Sequence, residues 1–292
     1  MTLPSLTELR QRLRPLAQEH LLHWWDELSQ EEREQLVEQI ETVDLQQVCD
    51  LYQSGGEAHD TDDNNLDQRA AAAHAPERVI RLADSDQRRV DGLQARQVGA
   101  DLLNSGSVGA ILVAGGQGTR LGFAHPKGMF PIGPVSGHSL FRLAAEQVLA
   151  RSRRHDAQIP YYIMTSRETH RETLEVFEQS AFFGLDPESV VFFCQASLPA
   201  VDAQTGRVLM QDRHHLCLSP DGHGGLLQAL TAADVWQDMH SRGIEHVFYH
   251  QVDNPLVRIC DPEFLGFHVL NHAQASTKVV AKRNPQEPLG AV

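Results

Sequence analysis

The chain has 292 residues, 41% of them hydrophobic and 22% charged, and its 39 Asp+Glu against 25 Lys+Arg give a formal net charge of −14. That length suits about two domains with real cores, and the composition excludes a disordered chain. The acidic balance argues against general nucleic-acid binding, no apolar run nears the ~20 residues that cross a bilayer, and the N-terminus lacks the apolar core of a secretory signal. Cys49, Cys194, Cys217 and Cys260 are far apart and match neither a disulfide framework nor a zinc spacing, so the expectation is a cytoplasmic protein with reduced thiols and no membrane or nucleic-acid partner. A polyanionic ligand would require a local concentration of positive charge.

The first stretch reads as helical: Leu6, Leu9 and Leu13 open an apolar stripe that Leu21, Leu22, Trp24, Trp25 and Leu28 continue, with the tryptophans as core anchors. Ser29 before Gln30-Glu-Glu reads as an N-cap and acidic first turn, opening a helix through Leu36, Val37 and Ile40. Residues 53–68, rich in Gly, Asp and Asn, read as a solvated loop. Counted from Asp60, the places where a calcium loop needs Gly and Glu hold Asn65 and Ala71, which excludes calcium. An alanine-rich helix is expected over residues 69–75 and a charged connector over 79–97.

Beyond Gly106 short apolar strands alternate with helices, the pattern of a mostly parallel α/β sheet. Residues 109–114 (GAILVA) form a continuous apolar run, as a strand buried on both faces requires. Further strands are predicted over 161–164, 190–193, 246–252 and 278–281. Helices are predicted from Ser139 with Leu140, Leu143, Ala144 and Val148 inward, and over 168–179, 226–240 and 262–272. The chain thus divides into a helical region and connector over 1–100 and an α/β domain over 101–292. Residues 288–292 read as the start of a strand, so a longer protein is expected.

The segment from Leu112 to Gly128 (LVAGGQGTRLGFAHPKG) carries the densest chemistry. It starts at the C-terminal end of a buried strand, where open α/β sheets bind ligands. Gly115, Gly116 and Gly118 let main-chain N–H groups approach an anion. Arg120 offers a planar fork to phosphate oxygens, and Lys127 a compact charge. Two commoner glycine loops fail by counting. A dinucleotide fingerprint from Gly116 needs glycine where Leu121 stands, and a phosphate loop fails because Lys127 lies between Pro126 and Gly128. Asp253, at the end of the 246–252 strand, is a plausible Mg²⁺ ligand, since Mg²⁺ takes one or two carboxylates plus phosphate oxygens; an Asp capping the next turn is the plainer reading. His214-His215 and the His268/His272 pair lack a third ligand at zinc spacing, and Cys194, within an apolar strand, reads as a buried hydrophobe.

Gly-Gly-x-Gly-Thr-Arg-Leu-Gly followed by Pro126-Lys-Gly resembles the signature of the eukaryotic-type UDP-sugar pyrophosphorylases, especially those making UDP-N-acetylglucosamine. The resemblance covers nearly the whole chain, in order: Glu19-His-Leu-Leu with Trp25, Met164-Thr-Ser-Arg, Phe182-Phe-Gly-Leu, Phe192-Phe-Cys-Gln with Leu198-Pro-Ala, Pro220-Asp-Gly-His-Gly-Gly, Val252-Asp-Asn, Asp261-Pro with Gly266-Phe, and Lys278-Val-Val with Asn284-Pro and Glu287-Pro. It implies a Rossmann-like nucleotidyltransferase fold, glycosyltransferase-A-like, with residues 101–292 as the nucleotide-binding catalytic domain lacking its C-terminal part. It also implies the reaction UTP + N-acetylglucosamine 1-phosphate ⇌ UDP-N-acetylglucosamine + diphosphate with Mg²⁺. Under it Arg120 and Lys127 are catalytic. Val113, Ala114, Gly115, Gly116, Lys127, Gln195, Gly222 and Asp253 hold the nucleotide, Asp253 also holds the metal, and His223 and Asn254 face the sugar.

The residue His223 departs from the Asn usual in the N-acetylglucosamine enzymes. Gly-His-Gly is the form of UDP-glucose and broad UDP-sugar pyrophosphorylases, which usually continue with Asp where this chain has Gly225. A UDP-glucose or broad-specificity enzyme is therefore the alternative, followed by a non-catalytic fragment that binds a nucleotide sugar. A helical scaffold acting through residues 1–53 would leave the glycine loop without a purpose.

Overall fold

A computed structural model describes residues 4–54, 71–72, 79–81, 85–284 and 286–287. By internal contact the chain forms two units, Met1–Pro76 with Ser197–Asp221 and Glu77–Ala196 with Gly222–Val292. This division differs from the boundary drawn on composition at residue 100.

In the larger unit, β1 (Val108–Val113), β2 (Tyr161–Thr165), β3 (Val190–Cys194) and β6 (His246–Gln251) form a sheet of order β3-β2-β1-β6 in which every pairing is parallel. Both faces are covered, which explains the continuous apolar run of β1. Ala110 and Leu112 pack with Phe141, Ala145, Val148 and Phe177 on one side, while Ile111 packs with Ala229, Leu230, Val235 and Met239 on the other. Register pairs Val113 with both Met164 and Gln251, and Thr165 with Cys194. The C-terminal ends of all four strands therefore share one rim.

The residues expected to form a charged connector instead build α3 (Asp86–Asn104), after α1 (Leu6–Leu13) and α2 (Gln30–Thr42) of the other unit. The buried face of α3 is Gly92, Ala95, Gly99 and Leu103, where only Leu103 is a large apolar residue, too little for an apolar periodicity to read. They let α3 lie against α8 (Pro262–Leu270): a Cβ on Gly99 would sit 1.8 Å from the Pro262 carbonyl oxygen. Because α3 crosses residue 100 and packs on α8, it belongs with the sheet.

Between them, α4 (Leu140–His155) is N-capped by Ser139 and α5 (Arg167–Gln179) begins after Ser166. The helix expected over 226–240 is two, α6 (Leu226–Ala232) and α7 (Val235–Ser241), broken where Asp234 takes the left-handed φ of 53°. Residues 278–281 are not a strand; Val279 and Val280 are exposed, and among the described residues no strand pairs with them.

In the smaller unit the apolar stripe after Leu13 is carried by 3-10 turns at Arg14–Leu16, Glu19–Leu22 and Trp25–Glu27, because Pro15 cannot continue the helix. Ser29 caps α2 in a capping box with Glu32. Leu9, Leu13, Leu21, Trp25, Leu36 and Ile40 bury themselves with Val208 and Leu216 of a hairpin segment that includes β4 (Ser197–Pro199) and β5 (Leu218–Pro220). Two buried glutamines clamp that segment. Gln18 donates to the Gly206 carbonyl and accepts from the Val208 N–H, and Gln39 does the same with His214 and Leu216. Each side-chain amide substitutes for a strand partner. Of the loop expected over 53–68, residues 53–54 are helical and the rest lies outside the described residues, as do residues 288–292 and most of the alanine-rich stretch, of which 71–72 are helical.

Candidate nucleotide site

The rim of the parallel sheet gathers several of the residues singled out by motif. After Val113, Ala114 remains tied to the sheet through its N–H to the Met164 carbonyl (2.8 Å), and the Val113 carbonyl accepts from Val252 (3.0 Å). The glycine loop then folds back on itself. Gly118 N–H donates to the His125 carbonyl (2.9 Å) and Lys127 N–H to the Gly116 carbonyl (3.0 Å). The turn is thus closed by its own backbone, with Gly116 exposed.

Gln195 leaves the end of β3 with its N–H on the Thr165 carbonyl (2.8 Å), and its side chain is buried directly against Gly115. A Cβ at Gly115 would lie 2.8 Å from the Gln195 amide nitrogen, so glycine lets the Gln195 amide rest here and a larger residue would displace it. An amide there offers both a donor and an acceptor to a planar base.

Lys127 is placed by packing on both sides. Pro126 is buried, and a Cβ on Gly128 would fall 2.2 Å from the Phe141 ring. Its ammonium donates to Asp253 Oδ1 at 2.8 Å. One predicted phosphate cation and the predicted metal carboxylate are therefore a pair, with Lys127 at 21% and Asp253 at 56% side-chain exposure. Asp253 lies in the turn after β6, where it can offer oxygens outward. A single hard carboxylate fits Mg²⁺ bound chiefly by phosphates and water.

Arg120 sits in the 3-10 turn Thr119–Leu121, exposed, and makes no ion pair among the described residues. Gly222, with φ of 71°, and exposed His223 lie on the turn Gly222–Gly225 that leads into α6. Leu226, Ala229 and Leu230 of that helix pack on the sheet face of Val113 and Phe193. Among the described residues no hydrogen bond or ion pair joins His223 to the glycine loop. Asn254 is committed locally, its Oδ1 accepting from the Leu256 N–H at 3.3 Å, so a turn contact accounts for it.

One residue escaped the sequence reading. His125, within the loop, hydrogen-bonds through Nδ1 to Glu172 of α5 and packs on Phe123. Its partner lies far along the chain, and no spacing signal marks it. Burial at the same rim is strong further in: His250 on β6 meets the Tyr161 hydroxyl at 3.2 Å, and desolvation pushes its pKa down to about 4. The His268 ring, half of a rejected zinc pair, is taken up by Ser276 and the His246 ring.

Parallel strands with a glycine turn, a lysine and a carboxylate at their C-terminal rim define an α/β protein whose candidate site lies where such sheets bind ligands. A family model described as UTP--glucose-1-phosphate uridylyltransferase matches residues 62–292, and the chain belongs to this family. It is 38% identical to human UDP-N-acetylhexosamine pyrophosphorylase-like protein 1, over 99% of this chain and 58% of that protein. It is 37% identical to Arabidopsis thaliana UDP-N-acetylglucosamine diphosphorylase 2, over 97% of this chain and 57% of that one. The solved uridine diphosphate N-acetylglucosamine pyrophosphorylase of Trypanosoma brucei superposes with a TM-score of 0.76 at 28% identity, covering 94% of this chain and 56% of that one. The chain thus spans somewhat more than half the length of these relatives.

Proposed function

We propose that the chain is the nucleotide-binding part of a uridylyltransferase that converts UTP and N-acetylglucosamine 1-phosphate into UDP-N-acetylglucosamine and diphosphate. The observation that carries it is the Lys127–Asp253 pair at the open end of the glycine loop. A surface ion pair of this kind contributes only about 0–1 kcal/mol. A triphosphate, with its higher charge, can take Lys127 over and release the carboxylate.

In this reading the Gly115–Gly116 backbone and Lys127 cradle the phosphates, while Gln195 and Gly222 hold the uracil edge. Asp253 would hold Mg²⁺, which would supply positive charge that lowers the repulsion between two anionic substrates. The sugar phosphate oxygen attacks the α-phosphorus in line and diphosphate leaves opposite. Positioning and charge neutralisation supply most of the acceleration, with Arg120 and Lys127 meeting the charge that develops on the bridging oxygen. His223, exposed and able to donate to an acetyl carbonyl or a hydroxyl, faces the sugar. The relatives named for N-acetylglucosamine and N-acetylhexosamine favour that sugar over glucose.

The test incubates the chain with labelled diphosphate, Mg²⁺ and either UDP-N-acetylglucosamine or UDP-glucose. Label entering UTP from the first supports the proposal, and label from UDP-glucose alone replaces the sugar. Tight UDP-sugar binding without exchange makes the chain a binding fragment.

A further inference from the structure

The turn at residues 211–215 of the smaller unit brings together groups that adjacency in sequence conceals. The oxygen and nitrogen donors of Asp212, His214 and His215 all lie within 4.8 Å of one another. Both histidines turn Nδ1 toward the same carboxylate: His215 Nδ1 lies 2.8 Å from Asp212 Oδ2 and His214 Nδ1 3.4 Å from Asp212 Oδ1. The two rings lie 4.0 Å apart between centroids. A fourth donor comes from α2. Glu32 spends one oxygen on the Ser29 N–H of its capping box and turns the other, Oε1, to 3.8 Å from His214 Nδ1.

By spacing alone His214-His215 lacks a third ligand. The fold supplies two, Asp212 from the same turn and Glu32 from the neighbouring helix. We propose that Asp212, His214, His215 and Glu32 form a binding site for a divalent transition cation of the zinc class, which clips the 211–215 turn to α2.

Two imidazole nitrogens with two carboxylate oxygens suit a borderline cation in four-coordinate geometry. Ligand atoms around tetrahedral zinc stand roughly 3.4 Å apart, from bonds of about 2.0–2.2 Å, close to the 2.8 Å and 3.4 Å carboxylate–imidazole separations within the turn, while Glu32, 3.8 Å from His214, moves in to complete the set. The turn itself is already set. Asp212 accepts the backbone N–H groups of His214 and His215, and Arg213 between them is anchored on Glu27 and over the Trp24 ring at 4.6 Å. Solvent has access, with side-chain exposures of 19% for His214 and 40% for His215. Magnesium, which takes oxygen donors, is a poor match.

The experiment titrates the full chain with Zn²⁺ alone, without nucleotide, by calorimetry, and repeats the titration with Mg²⁺. The same measurements are made on His214→Gln/His215→Gln, and visible absorption is followed with Co²⁺ as a spectroscopic probe. The expected result is one Zn²⁺ per chain, a melting temperature raised by the ion, Co²⁺ bands of a low-coordinate nitrogen-containing site, and at least tenfold weaker binding with no thermal gain in the double variant. If the double variant fails to fold by circular dichroism, the more exposed His215→Gln is read alone and must lose affinity likewise. Equal Zn²⁺ isotherms in wild type and variant, no stoichiometric Zn²⁺ binding, or equal binding of Mg²⁺ overturns the proposal.

Discussion

Lys127 and Arg120 belong to one loop but are held in opposite ways. The lysine stands between buried Pro126 and Gly128, which is pressed on the Phe141 ring, and its ammonium is already paired with Asp253. The arginine stands on an exposed 3-10 turn closed by Gly122 at φ of 68°, with no ion pair among the described residues. One cation is built into the scaffold, so its position is fixed before a ligand arrives. Under the proposed function the other takes its partner from the ligand, as a site does when it reserves a charge for a state that binding or reaction creates.

The contrast breaks first at the free cation. Arg120→Ala should leave stability within about 0.5 kcal/mol, as surface substitutions do, yet lower turnover by on the order of 10²–10³. Paired denaturation and exchange assays on the same preparation check this, and a variant with more than half the wild-type turnover removes Arg120 from the role.

The scaffolded side should show itself in pH. His250 is 4% exposed on β6, just before the Asp253 turn, with its pKa held at about 4 by burial, against roughly 6.5 when unfolded. Between those values the unfolded chain binds a proton that the folded chain refuses. Stability therefore rises with pH through this window and is lost as pH falls from about 6.5 to about 4, by about 3 kcal/mol in all. Urea melts across that range should show the slope, and His250→Gln should flatten it.

Glycine substitutions sharpen the comparison at smaller scale. Gly128→Ala drives a methyl into Phe141 and should cost about 1–3 kcal/mol by overpacking, with weaker UTP binding as Lys127 moves. Gly122→Ala meets no atom within 4 Å. Only its left-handed backbone is strained, for about 1 kcal/mol. Equal thermal shifts in the two would mean that the lysine is no better supported than the arginine.

The sequence made the rim readable where one continuous stretch carried both element and chemistry. The apolar run to Val113, the glycines after it and the lysine behind Pro126 are local facts, and Asp253 follows directly on a strand. What it could not show was partnership. Lys127 with Asp253, Gln195 under Gly115 and His125 with Glu172 are brought together by strand register and helix docking, which leave no spacing signal. Helix α3 hid for a different reason, its buried face being glycine and alanine apart from Leu103. The predicted strand at 278–281 has apolar residues but, among the described residues, no strand to pair with.

The central claim is that the carboxyl ends of β1, β3 and β6 build a single nucleotide site in which Lys127 exchanges Asp253 for phosphate. Crystals of the chain grown with UTP and Mg²⁺ test it most directly. The account predicts the triphosphate along Gly115–Gly118, the Lys127 ammonium within hydrogen-bond distance of it and the uracil edge on Gln195. UTP bound elsewhere, or bound here with Lys127 still on Asp253, would contradict it.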